Sequence, residues 1–299
     1  MNYSASYSLV LIPGWSMPAA TLESLADSLS AEWPVTVLKW PTELEVWQYQ
    51  DRLLDAMAVQ LPEGPVVLVG WSLGGQLASL LAGLITKANG YGVTGYSEAA
   101  VWNSFSSKGQ GWPFRAVEEC AVIPYQTLNL ASSTLTQRER RGQAALVTLA
   151  SNPCFVANQD WPFGMAQPTF NAFQQGFNQL PTKTLKEFCL LVAKGAGKCR
   201  ATAKRLQQLQ PQAGLSNEVL AEGLKLLATL DTRNLLQQLT CPQLHLLGAK
   251  DALVNHQLVE WFQKQEIPVD MLANSGHYLM ADTVELVSKI KQFAMGCNQ

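Results

Sequence analysis

One stretch of the chain has the residue types and spacing to present a nucleophile: Gly70-Trp71-Ser72-Leu73-Gly74. Four apolar, strand-type residues (66–69) run into it, and an Ala/Leu-rich segment with helical spacing follows at once. The serine is therefore expected on a sharp turn between strand and helix, its hydroxyl lifted clear of the sheet. Glycine is expected on both sides, because a Cβ there would collide with neighbouring backbone. A Gly/Ser turn without chemistry would use the same residues, so the pattern gains its meaning from its partners. A serine hydroxyl is a poor nucleophile at neutral pH; a base must take its proton and a carboxylate must hold that base in one tautomer.

The chain has three histidines. His245 lies in the apolar run LHLL and reads as a core or sheet-face residue. His256, near the start of the helical stretch HQLVEWF, reads as solvated. His277 follows a strand through Asn274-Ser275-Gly276 and precedes a helix, on the rim where Ser72 should open, and is the candidate base. Asp251 follows the strand at 243–247 through Gly248-Ala249-Lys250; it is either an ordinary turn aspartate or the group that orients His277. Acyl transfer through Ser72 also needs two backbone N–H donors for the oxyanion. Leu73, directly after the nucleophile, and Trp15, in the turn after the first strand, are the candidates; losing one such donor typically raises the barrier by about 3 kcal/mol. Trp15 can equally be a core aromatic, since the donor is main chain.

These residues need a frame that gathers strand ends. Short strands at 8–12, 35–39, 66–69, 145–150, 243–247 and 269–273 alternate with helices at about 18–30, 44–60, 73–88 and 283–295. That alternation implies a parallel sheet covered on both faces, with ligands at the carboxyl ends of its strands. Two segments interrupt it. Residues 88–142 form an atypical insertion carrying Trp102, Phe105, Trp112 and Phe114, too long for an ordinary connection. Residues 151–238 read as helical (167–179, 184–194, 198–208 and 217–230), a cap inserted between two strands. The domains expected are a core of 1–150 and 239–299 and a cap of 151–238.

The chain of 299 residues is 47% hydrophobic, enough for a large core, and its net charge of −2 excludes a global basic field for nucleic acid or an anionic membrane. Six cysteines (Cys120, Cys154, Cys189, Cys199, Cys241, Cys297) show no paired or C-x-x-C rhythm and read as free thiols in a reducing compartment. The first residues carry no basic segment followed by an apolar run, and no apolar run approaches the roughly 20 residues of a membrane helix. A soluble cytoplasmic monomer is expected, with no metal or organic cofactor. Between Lys183 and Arg205 lie seven Lys/Arg against one acid, Glu187, a local positive face or a solvated helix face.

Ser72, Asp251, His277 is also the chain order of the α/β-hydrolase triad. The stretches LVLIPGW, VGWSLGGQLAS, ALVTLASNPCF with the following DWP and FNAFQQ, GLKLLATLDTRNLL, and LLGAKDALV with SGH are similar to one family within that superfamily. It is the family of pimeloyl-acyl-carrier-protein methyl ester esterases that serve biotin synthesis. The resemblance implies an α/β-hydrolase fold with a helical cap, and hydrolysis of a carrier-linked methyl ester by Ser72, Asp251 and His277. It implies that Trp15 and Leu73 contact substrate as well as the oxyanion, and that Phe188, Cys189, Leu190, Leu191 and Val192 line the acyl path. It implies docking of an acidic carrier protein on Lys183, Arg200 and Lys204. Departures from the family pattern are Pro13-Gly14 in place of His-Gly, the segment Lys39-Trp40-Pro41-Thr42 without the family's Asp and Gly, an N-terminal stretch expected to be too short for the first hairpin, and the 88–142 insertion. A short-chain esterase or another hydrolase-fold enzyme without carrier preference, and a non-catalytic hydrolase-fold binding module, are the alternatives.

Overall fold

The computed structural model describes residues 7–88, 143–281 and 283–297. Among them six strands, β1 (Ser8–Ile12), β2 (Val35–Val37), β3 (Val66–Trp71), β4 (Ala144–Leu149), β5 (Gln243–Gly248) and β6 (Val269–Leu272), form one parallel sheet in the order β2-β1-β3-β4-β5-β6. The chain lays β2 on one side of β1 and then returns to place β3 on the other. The carboxyl ends of β1 and β3 therefore diverge into connections on opposite sides, the place where parallel sheets open a crevice for ligands. Trp15 and Ser72 stand just beyond those two ends.

The helices are α1 (Glu23–Ser30), α2 (Leu44–Trp47), α3 (Gln50–Ala58), α4 (Leu73–Ala88), α5 (Gln167–Gln179), α6 (Pro181–Ala193), α7 (Cys199–Leu209), α8 (Asn217–Thr229), α9 (Arg233–Gln238), α10 (Leu258–Lys264) and α11 (Thr283–Cys297). Successive strand residues point to opposite faces, and the central strands β1, β3 and β4 are buried and largely apolar on both because both faces are covered. Leu9, Leu11, Val67, Val69 and Val147 share one core with Leu25 and Leu29 of α1 and Leu286 and Ile290 of α11. Val10, Ile12, Leu68 and Leu146 share the other with Leu53 of α3, Leu77 and Leu81 of α4 and Phe262 of α10. His245 is buried in the sheet, its Nδ1 2.7 Å from Thr148 Oγ1, and its ring stacks on Phe262 at 4.2 Å.

Helices α5 to α9 fill the interval between β4 and β5; we refer to them as the cap. Pro181 starts α6 where its missing N–H costs nothing, and Ser216 caps α8 by accepting from the Val219 N–H at 3.3 Å. Not every expected boundary is found. The helix expected over 44–60 is two pieces, because Tyr49 is extended (φ −132°, ψ 122°). The helix expected from 18 begins as a 3-10 turn, Ala19–Leu22. Residues 151–166 are not helical but fold back on themselves through single bridges, Val156 to Met165 and Asn158 to Trp161. His256 is exposed and precedes α10 rather than starting it.

The insertion at 88–142, with Trp102, Phe105, Trp112, Phe114 and Cys120, lies outside the described residues beyond Ala88. The five described cysteines are free thiols. Among the described residues no helix is long and apolar enough to cross a membrane, and no group of three or more His, Cys, Asp or Glu could hold a metal ion.

Candidate active site

Ser72 joins β3 to α4 with φ 55°, a left-handed conformation that is costly for a residue with a Cβ. The glycines beside it answer to space. A Cβ on Gly70 would stand 2.2 Å from the Gly74 carbonyl oxygen, and one on Gly74 would stand 2.4 Å from that of Pro13. The helix can thus begin directly over the strand end and against the β1 turn, which forces the serine outward. Its main chain is held from below: Ser72 N–H donates to the Leu149 carbonyl at 2.9 Å, and Ser151 Oγ donates to the Ser72 carbonyl at 2.8 Å.

Three distant side chains meet at this rim. His277 Nε2 lies 3.1 Å from Ser72 Oγ, and His277 Nδ1 lies 2.9 Å from Asp251 Oδ2. The side chains of His277 and Asp251 are each 1% exposed. A carboxylate can only accept, so Nδ1 carries the proton and Nε2 is left free to accept from the serine hydroxyl. The other carboxylate oxygen accepts from the main-chain N–H groups of Leu253 (2.7 Å) and Val254 (3.0 Å), which fix its plane. His277 is held through its backbone as well, because Trp71 Nε1 donates to its carbonyl at 2.9 Å. Neither His245 nor His256 reaches this rim.

Leu73 opens α4, so its N–H belongs to the first turn, which a helix cannot satisfy from within. Among the described residues neither this N–H nor that of Trp15 has a protein acceptor. The Trp15 side chain leads away into the cap. Its Nε1 donates to the Leu220 carbonyl of α8 at 2.9 Å, and its ring meets Phe173, Phe177 and Phe188 edge-on at 5.8, 5.7 and 5.0 Å.

Ser72 and Trp15 open on a cavity of about 70 Å³ under the cap, walled by Phe155, Met165, Phe170, Phe173 and Leu224 among others. Of the five residues expected to line an acyl path, Phe188 and Leu191 line this cavity. The other three are corrected by helix geometry: α6 has one face toward the cavity, and neighbouring positions turn away from it. Cys189 and Val192 are buried in the core shared with α1 and α11, and Leu190 is 52% exposed on the outer surface. Burial pushes the Cys189 thiol up to about 11, which keeps it protonated and inert. Lys183, Arg200 and Lys204 are all exposed, on α6 and α7, with Lys183 3.8 Å from Glu187.

Several of these contacts escaped sequence reasoning. Trp71 is the variable residue of G-x-S-x-G, and nothing in its type announces the bond to the His277 carbonyl. Ser151 does stand at a strand's carboxyl end, beyond β4, and that position is the signal that could have found it. Phe170 and Phe173 have the spacing of an ordinary core stripe.

A sequence profile of the alpha/beta hydrolase family matches residues 9–289. The chain is 30% identical over 293 residues to a biotin biosynthesis bifunctional protein from Cellvibrio japonicus (strain Ueda107), covering 95% of this chain but 47% of that protein. It thus spans about half the length of that relative. It is also 30% identical over 276 residues to a pimeloyl-[acyl-carrier protein] methyl ester esterase from Klebsiella pneumoniae (strain 342), covering 89% of this chain and 86% of that one. Among solved structures, the fold is similar to a bromoperoxidase from Bacillus anthracis (TM-score 0.68, 17% identity, 97% of this chain and 92% of that one). An esterase from Exiguobacterium antarcticum is similar too (TM-score 0.66, 15% identity, the same coverage). From the parallel sheet with its serine elbow and from the profile match over nearly its whole length, the chain belongs to the alpha/beta hydrolase family.

Proposed function

We propose that the protein is a serine carboxylesterase in which Ser72 is the nucleophile, His277 the general base and acid, and Asp251 the group that orients and stabilises the imidazolium. The observation that carries this is the continuous relay from Asp251 Oδ2 through His277 to Ser72 Oγ, with links of 2.9 and 3.1 Å, at the mouth of an apolar cavity. As Ser72 Oγ attacks the ester carbonyl carbon, its proton passes to His277 Nε2. The oxyanion is received by the N–H groups of Trp15 and Leu73. On collapse, the alkoxide leaves with the proton from His277 as the free alcohol, and the acyl group stays on Ser72. Water then gives a proton to His277 while its oxygen attacks the acyl carbon, and the returning proton restores Ser72 as the acid departs.

The substrate class proposed is the methyl ester of an acyl chain carried by an acidic carrier protein; the name of one 30% identical relative, a pimeloyl-[acyl-carrier protein] methyl ester esterase, supports the carrier-linked ester. The exposed basic residues of α6 and α7, Lys183, Arg200 and Lys204 among them, support this by offering charge of the right sign beside the cap. The cavity of about 70 Å³ favours a second reading, an esterase for short acyl groups without carrier preference. The chemistry is tested by Ser72→Ala, which is expected to lower kcat for p-nitrophenyl esters about a thousandfold or more while leaving the melting temperature in place. Undiminished hydrolysis by that variant would remove Ser72 from the mechanism.

A further inference from the structure

The loops bearing Asp251 and His277 are not held by the sheet alone. The corner between α6 and α7, at Lys194-Gly195, packs its backbone directly on both. A Cβ built on Gly195 would stand 2.5 Å from the Lys250 carbonyl oxygen, 2.8 Å from Lys250 Cβ and 2.9 Å from Gly276 Cα. One built on Gly276 would stand 2.0 Å from the Lys194 carbonyl oxygen. Lys250 immediately precedes Asp251, and Gly276 immediately precedes His277. The same three segments are tied by hydrogen bonds. Lys250 N–H donates to the Ser275 carbonyl at 2.9 Å, and Tyr278 N–H donates across to the Val192 carbonyl of α6 at 3.2 Å. Lys250 Nζ adds a bond to Asn274 Oδ1 at 3.1 Å. Gly195 itself has φ 88°, where residues with side chains are strained.

We propose that Gly195 is a positioning residue for the acid-base pair: through backbone contact from the cap, it sets the separation of the Asp251 and His277 loops. This rests on the esterase reading above. Both loops come within 3 Å of where a Cβ on Gly195 would stand, so any side chain there must displace one of them. The Asp251 to His277 bond is 2.9 Å long and both groups are sealed from water, so there is no solvent to take up the displacement. The cap is then part of the catalytic frame and not only a cover.

Two effects of replacing Gly195, backbone strain and steric contact, can be separated. Gly64 also has a positive φ (85°), but nothing lies within 4 Å of a Cβ built on it, and it precedes β3 at the amino end of the sheet. Gly64→Ala thus adds strain without contact, Gly195→Asn adds contact with less strain than alanine because Asn visits positive φ more readily, and Gly195→Ala adds contact and the greater strain. For p-nitrophenyl acetate, both Gly195 variants are expected to lose about tenfold or more in kcat with KM changed by less than about twofold. Gly64→Ala is expected to lower the melting temperature and keep the original kcat. A folded Gly195→Asn with unchanged kcat would overturn the proposal, as would a kcat loss in Gly64→Ala equal to that of Gly195→Ala. Failure of both Gly195 variants to fold would overturn it too, since the corner would then be a folding requirement. If the unaltered protein hydrolyses no ester, the esterase reading fails by itself. The ratio of fluorophosphonate labelling rates at Ser72 between Gly195→Asn and the unaltered protein then decides the positioning role.

Discussion

Asp251 and His245 are both buried polar side chains, but their hydrogen-bond partners differ in kind. Asp251 accepts three hydrogen bonds, two from main chain and one from His277, so its charge is compensated where it stands. His245 has contacts that suit only a neutral ring: Thr148 Oγ1 can donate to Nδ1, and Nε2–H can donate to Gln243 Oε1 at 3.2 Å. Burial lowers its pKa to about 3. Below pH of about 6.5 an unfolded chain takes up this proton and the folded one does not, so the folded state is disfavoured increasingly as pH falls from there toward 3. His245→Gln is expected to make the melting temperature fall less steeply between pH 7 and pH 4, with activity at pH 7 retained. Parallel slopes for the two proteins in scanning calorimetry would contradict this. At this scale the sequence was informative where chemistry demands a residue type, as at Ser72, Asp251 and His277. It was silent on Trp71, whose role depends on which carbonyl lies opposite, and marked Ser151 only by its place beyond a strand end.

Each element brings one residue to the rim by ending there. The strand-turn-helix formed by β3 and α4 was legible because the glycines and the apolar run admit few alternatives. The cap was harder. Helices α5 and α6 were located from their periodicity, but a 3.6-residue period cannot tell a face that packs on core from one that lines a cavity, since both are apolar. Phe170, Phe173 and Phe177 of α5 illustrate this: Phe177 is core, whereas the first two also wall the cavity. Residues 151–166 carry no periodic signal, because their order comes from bridges and from bonds such as Asn152 Nδ2 to the Phe163 carbonyl (2.9 Å), none of which has a period. Phe173 is only partly buried, so Phe173→Ala is expected to cost about 1–3 kcal/mol of stability and to enlarge the cavity. The ratio of kcat/KM for p-nitrophenyl octanoate to that for the acetate should rise; an unchanged ratio would show that the acyl group lies elsewhere.

Over the whole molecule, charge is distributed against its average. The chain carries −2, yet the segment from Lys183 to Arg205 holds a third of its 21 basic residues. Arg200 and Lys204 are exposed on α7 and take no part in the relay, so their replacement tests docking and not chemistry. Arg200→Glu with Lys204→Glu is expected to lower kcat/KM for a carrier-linked methyl ester about tenfold at low salt, with the difference shrinking as ionic strength rises. The same variant should hydrolyse p-nitrophenyl acetate at the original rate. Equal losses on both substrates would remove the docking surface and leave the short-chain reading. This property was visible in the sequence as a count, but only the fold shows those charges exposed together.

The convergence of Ser72, His277 and Asp251 is tested most directly by treating the folded protein with a fluorophosphonate and mapping the modified peptide by mass spectrometry. A single adduct on Ser72 is expected, formed rapidly in the unaltered protein and lost in His277→Ala. An unmodified Ser72 in protein that still hydrolyses ester, or labelling that is as fast without His277, would contradict it.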